Sequence, residues 1–250
     1  MKKYHSKFIA LFLFTLLCNA CDSKTVTETF MKTSTLNGYD YSIFKLSDSL
    51  ILHPPAEYGQ FWDKPEKYPV LPKDLSFFPT VKETAFRFYL PNFTGHTLEN
   101  FGKDFDKNRV NVIQISGASM DALKTGAPGV YPPNVFSRNE NVLLHPKKYE
   151  EKFGLRCYER LPPRELDQQM CYGKRDSDID EYILIYAWIP PYDDVIRFPT
   201  MYTHYFSPKY GGIEISWQTH MDNFSKWREI DAQVWKFLDA WNVAPKQSYK

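Results

Sequence analysis

The sequence predicts an α+β fold of antiparallel sheets with few helices, closed by one amphipathic C-terminal helix packed on a sheet. Three observations carry that prediction. Short stretches alternate with period two, as at Thr84 to Leu90, where Phe86, Phe88 and Leu90 are separated by Arg87 and Tyr89. One segment has three-and-four spacing over several turns: Phe224, Trp227, Ile230, Val234, Leu238 and Trp241. Over 250 residues, a hydrophobic content of 43% and an aromatic content of 17% supply an ample core and exclude a disordered chain.

The chain opens with a basic start, Met1-Lys2-Lys3, and an apolar run from Phe8 to Leu17 broken by Thr15. That run is about ten residues, half of the ~20 a spanning helix needs, so residues 1–20 read as a secretory signal. Leu17-Cys18-Asn19-Ala20 before Cys21 resembles a bacterial lipobox, with Ala20 marking Cys21 as the lipidated residue. Asp22, directly after it, resembles the inner-membrane retention signal of Gram-negative lipoproteins. The expected address is the periplasm, tied to the inner membrane by acyl chains that bury at ~0.8 kcal/mol per CH₂. Residues 21–37 then read as a polar tether.

Tyr39 to Leu52 is expected to be a strand. Pro54 to Pro79 holds six prolines and should be irregular, with Tyr58, Phe61, Trp62, Tyr68, Phe77 and Phe78 pinning it to a core. After the strand at Thr84 to Leu90, the spacing of Leu98, Phe101 and Phe105 suggests a helix that Gly102 weakens. Arg109 to Ser116 is another strand, and Gly117 to Pro133 a Gly- and Pro-rich loop.

Strands are expected around Cys157 and Cys171, paired through Leu161 to Asp167. Tyr182 to Ile189 is apolar on both faces and belongs in the middle of a sheet. Ile213 to Thr219 is a further strand, and Asp222 to Ser225 offers N-caps for the final helix, whose Trp227, Trp235 and Trp241 should be core. A strand–strand–helix unit around 84–115 and again at 180–241 suggests two related lobes, 38–135 and 136–250.

With Cys21 lipidated, the exported body keeps two cysteines, Cys157 and Cys171. An oxidising compartment and the absence of a Cys-x-x-Cys motif after the signal predict one structural bridge between them. Closing a loop of this size stabilises by ~3 kcal/mol on the chain-entropy model.

Catalytic signatures are few. The sequence has no Gly-x-Ser-x-Gly, His-Glu-x-x-His, P-loop or Gly-x-Gly-x-x-Gly motif. Ser42 and Lys45 match Ser-x-x-Lys, and Lys124-Thr125-Gly126 matches a motif of penicillin-recognising enzymes. In strand-like sequence, however, Ser42 and Lys45 would point to opposite faces. His204 and His220, with Asp222 nearby, would need their strands to bring them together to hold zinc. Asp193-Asp194 and the run Asp176, Asp178, Asp180, Glu181 read as solvated turns. No cofactor and no metal is expected, and a formal charge of +1 gives no electrostatic case for nucleic acid.

These readings favour binding over catalysis. The expected partner surface is Tyr192, Asp193, Asp194, Arg197, Tyr202 and Tyr205, in and after Pro190-Pro191, because loops rich in tyrosine and acids suit protein recognition. Gly211-Gly212-Ile213-Glu214-Ile215-Ser216-Trp217, Trp227-Arg228-Glu229-Ile230-Asp231 and Trp241-Asn242-Val243, with the lipobox and the Cys-Tyr…Cys-Tyr hairpin, carry a resemblance. The chain resembles periplasmic immunity lipoproteins that protect bacteria from type VI-secreted phospholipase effectors. The resemblance implies a two-lobed α+β body that clamps a secreted phospholipase or lipase effector and is no enzyme itself. An envelope hydrolase and an assembly lipoprotein are the alternative functions.

Overall fold

In the computed structural model, the structure describes residues 34–36, 39–41, 43–58, 71, 73–76, 78–97, 100, 107–117, 143–161, 167–175, 181–189 and 199–245. It is an α+β fold. Among the described residues twelve strands are formed: β1 (Ser34–Leu36), β2 (Tyr39–Tyr41), β3 (Phe44–Ser47), β4 (Leu50–Leu52), β5 (Glu83–Tyr89), β6 (Arg109–Gly117), β7 (Leu143–Lys152), β8 (Leu155–Leu161), β9 (Asp167–Lys174), β10 (Tyr182–Ile189), β11 (Thr200–Ser207) and β12 (Ile213–His220). An α-helix, α1 (Trp227–Trp241), follows.

Eight strands make one antiparallel sheet in the order β5-β6-β12-β11-β10-β9-β8-β7, while β1-β2 and β3-β4 are separate two-stranded hairpins. The expected strand at Tyr39 to Leu52 is therefore divided. Asp48 and Ser49 form a turn, and their short polar side chains favour a chain reversal where alternation alone suggested continuity. β10 lies inside the sheet, as its two apolar faces require. β5 and β6, from the first half of the chain, share the sheet with β10, β11 and β12, because β6 pairs directly with β12.

Helix α1 lies against one face of this sheet. Its buried side includes Trp227, Ile230, Val234, Trp235, Leu238 and Trp241, which join the main core with Phe86, Phe88, Ile115, Ile183, Ile185, Tyr205 and Trp217. Each such side chain stabilises by ~1.5–3 kcal/mol when withdrawn from water. At the end of the helix, Trp241 stacks on Phe237 (4.7 Å, 12°) and meets Phe86 edge-on at 4.8 Å. The chain beyond it is pinned to β4, with Val243 N–H donating to Ile51 O at 2.8 Å and Asn242 Nδ2 to Ser49 O at 3.0 Å.

The start of the helix differs from expectation. Residues 221–226 form a 3-10 turn, capped by the His220 ring, which accepts from Asp222 N–H at 3.1 Å. Lys226 occupies the N-cap position of α1 without a side-chain cap. Asn223 is used differently, donating to Thr219 Oγ1 at 2.9 Å and to Lys107 O. The expected helix near Leu98 and the loop after Gly117 lie outside the described residues.

Candidate protein-interaction face

Alternation along the strands gives the sheet two chemically different faces. On the helix side, Cys157 and Cys171 stand directly opposite each other in the β8–β9 register and are joined by a disulfide. Both are buried in the main core. Asp231, a buried acid that helical periodicity did not flag, lies close to them in function rather than sequence, fastening α1 to this side. It accepts from Tyr205 Oη (2.5 Å), Trp217 Nε1 (3.1 Å) and Arg175 Nε (2.9 Å). Arg175 also pairs with Glu181 and lies over the rings of Tyr205 and Trp235 at 4.8 and 4.7 Å. Burial opposes its charge, but Tyr205, Asp231 and Glu181 outweigh that cost and raise its pKa.

The other face is a tyrosine surface. Tyr186 and Tyr202 are register partners on β10 and β11, with rings stacked at 4.7 Å and 11°. Tyr158 on β8 stacks on Tyr172 of β9 at 5.5 Å and 7°, their hydroxyls 3.4 Å apart. Tyr149 of β7 follows at 5.4 Å from Tyr158, with the Arg156 guanidinium 5.2 Å over its ring. Met170 and Leu184 are buried beneath Tyr172 and Tyr186 and form an apolar floor.

Tyr149 and Tyr202 remain 45% and 36% exposed, so the tyrosine surface reaches solvent. Stacking turns the ring faces toward each other, and Tyr158 is itself buried at 5% exposure. Burial, then the neighbouring Tyr202, pushes Tyr186 up to about 12. Burial, then the hydrogen bond with Tyr172, pushes Tyr158 up to about 12. Both hydroxyls therefore stay protonated near neutral pH. Beside them His204 pairs with Glu214, which also accepts from Ser116 Oγ at 3.2 Å.

Of the residues expected at a partner surface, Tyr202 stands on this face. Tyr205 does not. It lies three residues further along β11, so the period of two turns it to the opposite face, where it is fully buried and bonded to Asp231. Tyr192, Asp193, Asp194, Arg197 and Cys21 lie outside the described residues. His204 and His220 are not brought together. In the β11–β12 register His204 opposes Ser216 and His220 opposes Thr200, which separates them by four residues, roughly 13 Å. Among the described residues, no group of three or more His, Cys, Asp or Glu side chains could hold a metal ion.

Tyr149, Tyr158, Tyr172 and Tyr186 were not singled out from sequence as surface residues. The available signal was the repeated Cys-Tyr dipeptide: if both cysteines bridge in the core, the residue after each faces away from it. Also among the described residues, no helix is long and apolar enough to cross a membrane.

No family model matches the sequence, and no curated protein matches it. Among solved structures, the chain is similar to Smlt3025, an immunity protein of the Stenotrophomonas maltophilia type IV secretion system. The superposition has a TM-score of 0.51 at 11% identity and covers 84% of this chain and 97% of that one. At that identity the likeness is one of fold, and it extends over nearly all of the neighbouring structure.

Proposed function

We propose that this chain is a periplasmic immunity lipoprotein that binds and neutralises a secreted effector, with the tyrosine face as the binding surface. The observation that carries the reading is the fold shared with a secretion-system immunity protein over 84% of this chain. The signal and lipobox at Cys21 and the disulfide support an exported address. The sequence resemblance points to a type VI-secreted phospholipase or lipase as the target. The structural neighbour belongs to a type IV system, so the two likenesses differ in the delivery route and agree in the role.

The physical means is stoichiometric covering. A nanomolar complex requires about −12 kcal/mol, which an interface of ~1,600 Å² can supply when a few aromatic side chains anchor it. Anchoring by lipid at Cys21 would hold the inhibitor beside the membrane its target attacks and raise its effective concentration.

The deciding experiment reads the frames encoded beside this chain and exports each candidate effector among them to the periplasm, with and without this protein. Rescue of growth and co-purification of the pair are expected. Continued lysis with this protein present at the envelope would overturn the reading. In a rescued strain, Tyr202→Ala should weaken capture by about tenfold or more, as for an aromatic anchor at an interface.

A further inference from the structure

We infer that the Cys157–Cys171 bridge is a positioning element for the tyrosine face on the opposite side of the sheet, holding Tyr158 and Tyr172 in their stacked arrangement. Each cysteine is followed by one of these tyrosines. In the strands, the cysteines point into the core and the tyrosines point away.

The register makes the coupling specific. Cys157 opposes Cys171, Tyr158 opposes Met170, and Arg156 opposes Tyr172. The two tyrosines are thus diagonal neighbours, and their parallel rings at 5.5 Å depend on that one alignment of β8 with β9. A slip of β8 by one residue against β9 would turn Tyr158 to the core side and part it from Tyr172. The covalent link forbids such a slip where the sheet is least supported. β8 lies one strand from the edge, and its outer partner β7 has a register irregularity between Leu144 and Tyr149.

Displacement would not stay local. Tyr158 touches Tyr149, Tyr149 lies under Arg156, and Tyr172 helps cover Met170 and Leu184. The bridge itself is buried, with Cys157 at 2% and Cys171 at 0% exposure, so in the folded protein it acts as a fixed clamp. Its meaning for partner binding rests on the immunity reading above, whereas the geometry does not.

The test needs no partner. Tyrosines of the full chain are acetylated with N-acetylimidazole, and each site is followed by peptide mass spectrometry in the wild type and in Cys157→Val/Cys171→Val. Tyr205 reports opening of the core, and Tyr202 serves as the exposed reference. Tyr158 should react about tenfold faster without the bridge while Tyr205 stays protected, the pattern of a local opening. Unchanged Tyr158 reactivity would overturn the inference. So would equal acceleration of Tyr158 and Tyr205, in this variant and in Cys157→Ala/Cys171→Ala, because the bridge would then stabilise the whole fold without positioning the face. Failure to bind any effector would count against the immunity reading and leave this result untouched.

Discussion

Arg175 Nε donates to Asp231 Oδ2 at 2.9 Å, so a charged pair at the end of β9 fastens the buried side of α1 to the sheet. Both side chains are nearly shielded from water, and Glu181, Tyr205, Trp217 and Trp235 complete their surroundings. Such a cluster ties the helix to the sheet at a defined point. Its charges are costly to separate.

Replacing one partner should therefore hurt more than replacing both. Asp231→Leu leaves Arg175 with Glu181 as its carboxylate among the described residues and is expected to cost about 3 kcal/mol, whereas Asp231→Leu/Arg175→Met should recover part of that loss. Urea midpoints for the single and double variants measure the difference. A double variant no more stable than Asp231→Leu would argue against the pair as the source of the cost.

His96 gives the fold an acid-sensitive point. Burial first, and then the charges of Arg87 and Arg109, lower its pKa, so the folded state favours the neutral imidazole. The unfolded chain takes up its proton more readily. This contribution is complete above the ordinary histidine value of about 6.5 and is lost as pH falls from there through the lowered folded value. His96→Gln should flatten the pH dependence of the melting temperature across that window. An unaltered profile would remove His96 as its cause.

Gly154, in the turn between β7 and β8, has φ of +76°, and a Cβ there would lie 2.5 Å from Arg228 Nη2. That guanidinium donates to Lys174 O and Arg175 O through Nη1, and lies 4.3 Å over Trp227. Gly154→Ala should destabilise by about 1–2 kcal/mol, from left-handed backbone strain together with displacement of Arg228. Gly154→Asn, which tolerates this backbone region better, should not be milder if the clash dominates. Chemical denaturation of the two variants separates strain from clash.

Tyr158 owes part of its raised pKa to Tyr172, whose hydroxyl stabilises the protonated ring. Tyr172→Phe should lower the Tyr158 value from about 12 toward 10 without abolishing the effect of burial. Ultraviolet titration of phenolate absorbance, compared with Tyr158→Phe for assignment, provides the measurement. An unchanged titration would show that burial alone sets the value.

Much of the fold can be read along single strands and one helix face. Phe86 and Phe88 alternate into the core, β10 reads as an inner strand, and the tryptophans of α1 are buried as their spacing requires. Cys157 and Cys171 are joined as the cysteine count implied. What escaped depends on contacts between distant segments. Asp231 looks like an ordinary helical acid until Arg175, Tyr205 and Trp217 converge on it. Tyr205 reads as a surface residue because its segment resembles an aromatic-rich recognition loop, although its parity with Thr203 and Met201 puts it in the core. The tyrosine surface requires five strands, β7 to β11, to be laid side by side, and no short window of sequence contains that order.

The position of β12 between β6 and β11 has a kinetic consequence. β5 and β6 can form a hairpin early, but β6 must wait for a neighbour that arrives about 100 residues later, a separation that slows collapse through loop-closure entropy. Until β12 docks, the edge of β6 that it covers has no strand to pair with. If the chain is exported as proposed above, it would thus reach its final shape only after β12 has left the channel, and the same late step would keep it loose enough to be threaded.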